Sequence, residues 1–593
     1  MKPFLNCSLL LFLVLTSAST THSSSTKLDL TSAMLKSELY ANWKLLRNQE
    51  DPKPYYMSLK LHDSLQYNIQ TSLGKLHTSA ESHFLSLESE VRVGSPEFDN
   101  TQPTDAGNTS YPSRIMGGFS PNISNKLLKR KIKSLTESAW RGARTEYLAK
   151  KNNTEMRSEK FAGSDFSFVE ESASIANINV KRTPFENTPS KKDTSRIEQE
   201  KALTALSLLF KDSEHMHNSM VNLSLTHTKR SFHNTRNTHK KTNDLIIRLS
   251  SQLFFRSKDG MPLHIFRSWT FEKWPTAKTL LNYTDSLKQL SNDFEKLVQA
   301  PVGKPYTGPV LLKAPAAAVL LHEIYGHRVE SHRFRMPGDG HTFLHRQGKE
   351  LFPNWINVND KPLLENFQNT PLMGRYTLDN EGVNAQNVNL IEKGVIKGFL
   401  SGRELYSDTS KSNGHGRAQG GLKPVARMGN LILEVDSSYN QINEIQLSDS
   451  LLRQKLIEEA KKAGLEYGLI IHDLAGGFTL TQRDLPQSFK LHPYWVSQVF
   501  VDGRPDQVLR GLDISGTPVE TLGSILAAGK QSAVFNGFCG AESGYVPVSA
   551  IAPPLLIQTL SAELAPTQHI LPPFLIAPHL VKGEFKNLYK AKY

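Results

Sequence analysis

The sequence changes in character near residue 300, and this change constrains the fold more than any other feature. Before it, a helical pattern at 32–46 is followed by segments in which polar and apolar residues alternate, as in paired strands. After it, Gly and Pro become frequent and short β-rich segments alternate with turns. We therefore predict an α+β protein, with a mixed α/β N-terminal domain at 25–300 and a β-rich C-terminal domain at 301–593. One or two helices are expected to be embedded in the C-terminal domain.

Residues 154–241 are rich in Ser, Thr, Asn and basic side chains, and the whole chain has a formal net charge of +13. Basic runs can bind nucleic acid, but these lack the regularly interleaved aromatic residues that would stack on bases. We interpret the segment as a solvated insertion in the N-terminal domain. No nucleic-acid partner is expected.

The first residues have the layout of a secretory signal peptide. Lys2 supplies a positive charge, residues 9–15 form a short apolar run, and small residues at 16–18 suit cleavage after Ala18. We therefore predict a signal peptide at 1–18 and an exported protein, either periplasmic or extracellular. No stretch reaches the roughly 18 consecutive apolar residues of a membrane span, so no integral membrane segment is expected in the mature chain.

One helix carries the strongest chemical signal. Pro315 is placed to start it, and His322, Glu323 and His327 form the motif H-E-x-x-x-H. Zinc peptidases commonly use H-E-x-x-H, because side chains four positions apart lie on one helix face. Five positions at about 100° each rotate the second histidine about 140° from the first. We therefore predict that the helix bulges or ends between them, at Gly326, where a break costs least.

With these two histidines, the helix is expected to be the metal-binding helix of the β-rich C-terminal domain. A catalytic zinc site needs a third protein ligand, and the residues themselves leave three candidates. Glu330 and His332 lie near the motif, and Glu330 is equally suited to accept a hydrogen bond from a ligating imidazole. Cys539 lies far downstream and would be the single cysteine left after cleavage removes Cys7. A soft thiolate suits zinc.

Several separate motifs resemble those of the TldD/PmbA family, in its TldD-like branch of zinc metallopeptidases. They occur in the family's order along the chain: PYYMSLKLHD at 54–63, YTGPVLLKAPAAAVLLHEIYGHRVESHR at 306–333, SNGHGRAQ at 412–419 and FCGAESGYVPVSAIAPP at 538–554. Because the motifs are separate and ordered, the resemblance is much more specific than H-E-x-x-x-H alone.

The resemblance implies that His322, His327 and Cys539 bind Zn²⁺ and that Glu323 serves the hydrolytic water. It also implies unfolded or small peptides as substrates, lying extended in a cleft between sheets. A homodimer, or a heterodimer with a family relative, is the expected assembly. After the cysteine the family's usual C-G-K-x-G-Q is replaced by a sequence without the Lys and Gln, so contacts to the substrate are expected to differ there.

Four further residues are interpreted as substrate-binding. His415 and Arg417 are cationic donors that could steady a developing oxyanion. Gly476 and Gly477 would allow a substrate backbone to pair at a strand edge. Simple turn geometry is the alternative interpretation at both places.

The predicted function is zinc-dependent hydrolysis of peptide bonds by an exported metalloprotease. One alternative is a non-catalytic peptide-binding or scaffold protein with a structural zinc, which would have no need of Glu323. Another is a basic surface-binding protein that adheres to anionic polymers through residues 181–241. Such binding would be salt-sensitive and would survive chelation.

Overall fold

The structure is a computed structural model. It describes residues 25–101, 112–156, 164–168, 194–211, 213, 215–336, 338–407, 410–443 and 445–566. The predicted signal peptide at 1–18 lies outside the described residues.

The N-terminal domain consists of five helices and six strands in the described residues. In chain order they are α1 (Ser25–Arg47), β1 (Pro54–Ser72), β2 (Lys75–Val93), β3 (Arg114–Phe119), α2 (Asn125–Met156), α3 (Thr194–Leu208), β4 (Met216–Asn234), β5 (His239–Arg256), β6 (Pro262–Phe271), α4 (Ala277–Leu281) and α5 (Thr284–Gln299).

The six strands form one antiparallel sheet in the order β3-β2-β1-β4-β5-β6. Alternate residues of β1, such as Met57, Leu59 and Ile69, are apolar and pack into the cores beneath the helices. The residues between them point the other way, and they are polar yet buried. Glu88 on this second side pairs with Lys60 at 2.7 Å and also accepts a hydrogen bond from the Gly421 amide of the C-terminal domain at 3.4 Å.

We call this second side of the sheet the charged face. Its members are Lys60, His62, Glu88, Glu90, Arg92, Arg114, Arg230 and Asp244. Because the charges are paired with one another, the sheet can be buried on both sides without an apolar surface on each.

The interpretation of residues 154–241 as an insertion is wrong for most of their described part. Residues 194–208 form α3, and 216–234 form β4, which lies in the centre of the sheet between β1 and β5. The basic side chains belong to the interface between domains: Lys240 Nζ donates to the Gly382 carbonyl at 3.2 Å and to Asn384 Oδ1 at 3.0 Å. A strand with one charged, buried side has the composition of a solvated segment.

The C-terminal domain is β-rich and begins with the strand that follows α5. Its elements are β7 (Tyr306–Leu312), α6 (Ala314–Ile324), β8 (Ile356–Asp360), β9 (Asn366–Phe367), β10 (Thr370–Pro371), β11 (Val388–Glu392), β12 (Val395–Ile396), β13 (Gly416–Arg417), β14 (Val425–Ala426), β15 (Asn430–Val435), α7 (Ser437–Asn443), β16 (Gln446–Leu447), α8 (Asp449–Lys462), β17 (Tyr467–Thr479), β18 (Phe489–Phe500), β19 (Gln507–Leu509), β20 (Leu512–Gly516), α9 (Pro518–Gly523), β21 (Ile525–Gly529), β22 (Ala533–Ala541), β23 (Gly544–Ala552) and β24 (Leu555–Leu564).

Two sheets enclose helix α6. One has the order β12-β11-β8-β15-β23-β22, and the other has the order β16-β21-β24-β20-β18-β17-β7, with an additional pairing of β24 and β7 that closes a ring of five strands. The apolar side chains of α6, including Leu320 and Leu321, share one core with residues of both sheets. The predicted α+β class, with a β-rich C-terminal region, is confirmed.

Among the described residues, the helices are either too short or too polar to cross a bilayer.

Candidate metal centre

Helix α6 ends between the two histidines of the motif. Its last residue is Ile324, and Gly326–Arg328 then form one turn of 3-10 helix. The change in winding brings the ring of His327 back to that of His322, with the ring centres 5.0 Å apart. The prediction that the helix bulges or ends between them is confirmed.

Gly326 is required by packing and not by its backbone conformation. Its φ lies outside the left-handed region, so any residue could adopt it. A Cβ at this position would lie 2.0 Å from Met428 Sδ and 3.2 Å from Leu431 Cδ2. The expected site of the break was correct, but the glycine is there because Met428, two residues before β15, and Leu431 of β15 approach the turn too closely for a side chain.

We expect Gly326→Ala to destabilise the protein by about 1–3 kcal/mol, because an added methyl group forces a buried core apart. Urea unfolding would measure the change. Gly338→Ala is the matched control, since a Cβ there would meet no atom within 4 Å. Equal free energies of unfolding for the two variants would contradict the packing argument.

Three side chains from two distant parts of the sequence converge at the end of α6. Cys539 Sγ, on β22, lies 3.1 Å from His322 Nε2 and 3.3 Å from His327 Nε2. The three atoms all lie within 4.8 Å of one another, and all three residues are buried. Two imidazoles and a thiolate are a donor set used by catalytic zinc sites, so the residues present fit a Zn²⁺ ion.

The electrostatics of the cluster favour the thiolate form of the cysteine. Burial opposes ionisation, but the charges of His327 and His322 and their hydrogen bonds to the sulfur outweigh it and hold the pKa of Cys539 well below its usual range. For His327 burial alone would lower the pKa, but the neighbouring Cys539 and Glu330 raise it well above its ordinary value. The sulfur is therefore ready to act as a metal ligand, since the thiolate is the form that binds.

Glu330 lies behind His327. Its Oε2 is 3.2 Å from His327 Nδ1, the nitrogen that faces away from the cysteine. Two arginines hold the carboxylate: Arg333 Nη2 is 3.1 Å from Oε2 and Arg427 Nε is 3.2 Å from Oε1. Burial would raise the pKa of Glu330, but His327 and these arginines lower it to about 2. This placement suits a residue that orients a ligating imidazole.

Glu323 lies beside His327 and is buried. Its Oε2 is 3.9 Å from His327 Nε2. A Cβ on Gly477 of β17 would lie 3.0 Å from Glu323 Cγ, so the strand backbone passes directly beside the glutamate. Gly476 has a φ of +148° and no atom near the position of a Cβ. The structure therefore brings both glycines to the side of the site where Glu323 lies.

His415, Arg417 and His332 are held by other contacts. The ring of His415 is fully buried, with Nδ1 2.8 Å from Asn413 Oδ1 and Nε2 3.4 Å from Asp360 Oδ1. Arg417 donates to the carbonyls of Met428 and Pro547. Both ring nitrogens of His415 are engaged in these contacts, and two of the five N–H groups of Arg417 are directed at backbone carbonyls. His332 Nε2 contacts Glu542 and lies outside the three-residue cluster.

Arg427 is the residue of the site that sequence reasoning missed. It is completely buried, and its Nη2 donates to the Cys539 carbonyl at 2.8 Å while its Nε faces Glu330. It thereby connects the strand of the cysteine to the carboxylate behind His327. A single arginine in a glycine-rich segment has no local pattern, and only its position between two distant segments reveals its role.

The sequence and the fold are both similar to those of known proteins. Residues 305–563 match the PmbA/TldA metallopeptidase C-terminal domain. A metalloprotease of Methanocaldococcus jannaschii is 27% identical over 272 residues, which are 45% of this chain and 53% of that protein. A zinc metalloprotease TldD homolog of Saccharolobus solfataricus is 24% identical over 255 residues, 42% of this chain and 50% of that protein. The matched part thus spans about half the length of these relatives.

Solved structures share the fold over most of the chain. TldE from Thermococcus kodakarensis aligns with a TM-score of 0.57 and 13% identity, covering 89% of this chain and 99% of that one. A putative modulator of a DNA gyrase from Thermotoga maritima aligns with a TM-score of 0.55 and 14% identity, covering 90% and 100%. At these identities the likeness concerns the fold alone. The family match and the curated relatives go further, and the C-terminal domain of this chain belongs to the TldD/PmbA family of metallopeptidases.

Proposed function

We propose that this protein is a zinc-dependent peptidase whose metal is held by His322, His327 and Cys539. The observation that carries the proposal is the convergence of these three donors next to Glu323, a carboxylate that is not itself one of the ligands. A purely structural zinc site has four protein ligands. Among the described residues three donors converge here, and Glu323 stands beside them with Oε2 3.9 Å from His327 Nε2.

A Zn²⁺ ion bound there would supply Lewis acidity, which lowers the pKa of water at the site and polarises a peptide carbonyl. The remaining chemistry belongs to the chain. Glu323 accepts the proton of the attacking water and returns it to the leaving amine. Glu330 holds the His327 ring by Nδ1 so that Nε2 stays directed at the metal.

The substrate proposed is an extended stretch of an unfolded or small peptide. Two strand edges next to the site support this proposal. In the described chain, β22 pairs on one side only, with β23, and β17 beyond Ile471 pairs only with β18. Free edges of this kind bind peptides by main-chain hydrogen bonds, and the edge of β17 contains Gly477, which lies against Glu323.

Zinc content and hydrolysis, measured together on the same preparation, test this function. We expect about one zinc per chain and release of acid-soluble peptides from casein, with both lost after chelation and both restored by added zinc. Stoichiometric zinc without hydrolysis would instead indicate a peptide-binding or scaffold protein. Salt-sensitive binding to anionic polymers that survives chelation would indicate the surface-binding alternative.

Two further proposals concern the setting in which the protein works. We propose export through the segment at 1–18, which N-terminal sequencing of the protein from its native host would test. A mature chain starting near Ser19 is expected, and an intact Met1 on the active form would contradict the proposal.

We also propose assembly with a second copy or with a family relative, since one solved neighbour is a TldE. Light scattering on the purified chain separates a homodimer from a subunit that awaits another partner.

A further inference from the structure

The strand that carries the cysteine ligand meets the edge of the N-terminal sheet. Asn536 Nδ2, on β22 and three residues before Cys539, donates to Thr270 Oγ1 of β6 at 3.1 Å. In a strand, side chains two positions apart share a side. Phe538 therefore lies on the same side of β22 as Asn536, facing β5 and β6, while Cys539 points to the opposite side.

The side chain of Arg248, on β5, lies close to Phe538. Its guanidinium carbon lies 4.9 Å from the ring centre of Phe266 and 6.0 Å from that of Phe538. Nη2 donates to Ser268 Oγ at 3.1 Å. Nε is buried and has no hydrogen-bond acceptor. Within the described parts of the chain, no carboxylate forms an ion pair with Arg248.

Other arginines of the same sheet are paired. Arg230 forms an ion pair with Asp244 at 2.7 Å, and Arg267 forms one with Asp473 across the domain interface. Burial lowers the pKa of Arg248, because a buried position disfavours the charged form. A partly buried guanidinium without a carboxylate costs free energy of folding, and perturbed ionisable groups of this kind cluster at functional sites.

The surroundings of Arg248 are also positively charged. Ile246, two residues before it on the same side of β5, lines a cavity of about 240 Å³ between the domains. The charged residues of that lining are Arg230, Arg375, Arg417 and Asp244. Arg230 pairs with Asp244, and Arg375 pairs with Glu365 outside the lining, so Arg417 leaves an excess of positive charge. Arg248 adds a further positive charge about 7 Å along the strand from Ile246. An anionic group is attracted to this region before it makes any specific contact.

From these contacts we infer that Arg248 is a specificity residue that binds a carboxylate of the peptide substrate. The inference rests on the proposed function. A peptide lying along the free edge of β22 places alternate side chains on the side of Phe538, which is half exposed, at 50%. A carboxylate there would accept hydrogen bonds from the guanidinium, and those bonds are stronger than bonds between neutral groups. The carboxylate is either an Asp or Glu side chain or the free C-terminus of the peptide.

Binding and turnover are measured separately, so that this inference can fail without the proposed function failing. Fluorescent peptides are titrated into the zinc-loaded Glu323→Gln protein, which binds substrate without cleaving it. Four versions of one sequence are compared: acidic residues or their amides, each with a free or an amidated C-terminus. We expect peptides bearing a carboxylate to bind about 10-fold tighter than the neutral version at low salt, with the difference shrinking as salt is added.

Arg248→Gln, made in the same background, should remove this preference and leave the affinity for the neutral peptide unchanged. Arg248→Lys should retain part of it, because the charge stays and the two-pronged geometry is lost. Lys258→Gln is the matched control, since it removes an equal charge from an exposed turn of the same domain. Two of the four peptides identify which carboxylate is bound: one has acidic side chains and an amidated C-terminus, and the other has neutral side chains and a free C-terminus.

A preference that survives in Arg248→Gln, or equal binding of all four peptides to the parent protein, would overturn the inference. Either result would leave hydrolysis by the wild-type protein untouched. If the wild-type protein did not hydrolyse peptides but still bound carboxylate-bearing peptides more tightly through Arg248, the proposed function would be overturned and the role of Arg248 in peptide binding would stand.

Discussion

A Glu323→Gln variant is expected to keep its zinc and to lose hydrolysis by a factor of about 10² to 10⁴, the usual cost of removing a positioned acid/base group. The amide has nearly the same shape as the carboxylate but cannot take a proton from water. None of the three donor atoms is altered, and Glu323 Oε2 stands 3.9 Å from His327 Nε2. Zinc per chain and the initial rate on casein are the two measurements.

Glu350→Gln serves as the control, since it makes the same chemical change at an exposed glutamate of the same domain. It should match the wild type in both zinc content and rate. Wild-type turnover by the Glu323→Gln protein would remove this residue from the mechanism and would leave the water to be activated by another group.

A Cys539→Ala variant is expected to lose zinc and hydrolysis together. The sulfur is within 3.3 Å of both imidazole nitrogens, and without it two neutral donors remain. Dialysis against a series of zinc buffers would measure the affinity. The measurement also separates the thiolate from the other candidate ligands, because a site that used Glu330 instead would keep its metal in this variant.

Glu330→Gln is the comparison that completes this test. It keeps an acceptor for His327 Nδ1 and avoids leaving Arg333 and Arg427 around an empty space, as alanine would. We expect zinc affinity to fall only about 10- to 100-fold, the usual effect of a group behind a ligand. Zinc should also protect Cys539 from alkylation in the wild type. Equal alkylation rates with and without zinc, in a folded and active enzyme, would place the ligand elsewhere.

Sequence reasoning could predict those parts of the site that follow from the spacing of residues within one segment. The spacing of His322 and His327 conflicts with the helical period, so the end of α6 between them could be predicted. Cys539 became a strong candidate only through the resemblance of several separate motifs. Arg427 could not be identified, because its role depends on three segments that meet in space. His415 looked like a free cation in a glycine-rich segment, whereas the fold buries it against Asp360.

The fold shows the same division. Helix α1 and the hairpin of β1 and β2 follow local periodicity and were expected. Strand β4 was not, since its inward side carries Arg230 and other polar residues where a strand buried on both sides is expected to be apolar. Only the presence of a second domain with complementary groups explains such a strand, and a local pattern contains no information about that domain.

The charged face has a consequence for how the protein is made. All of α1 to α5 and β1 to β6 precede His322 in the chain, so the ribosome completes the N-terminal domain before it adds the first metal ligand. Until the C-terminal domain is finished, the side of the sheet that it will cover is open to water. An apolar surface of that size would associate with other nascent chains. The ion pairs of Lys60, Glu88 and their neighbours lie within the N-terminal domain and do not require the second domain. These charged groups are readily hydrated until the C-terminal domain has been synthesised.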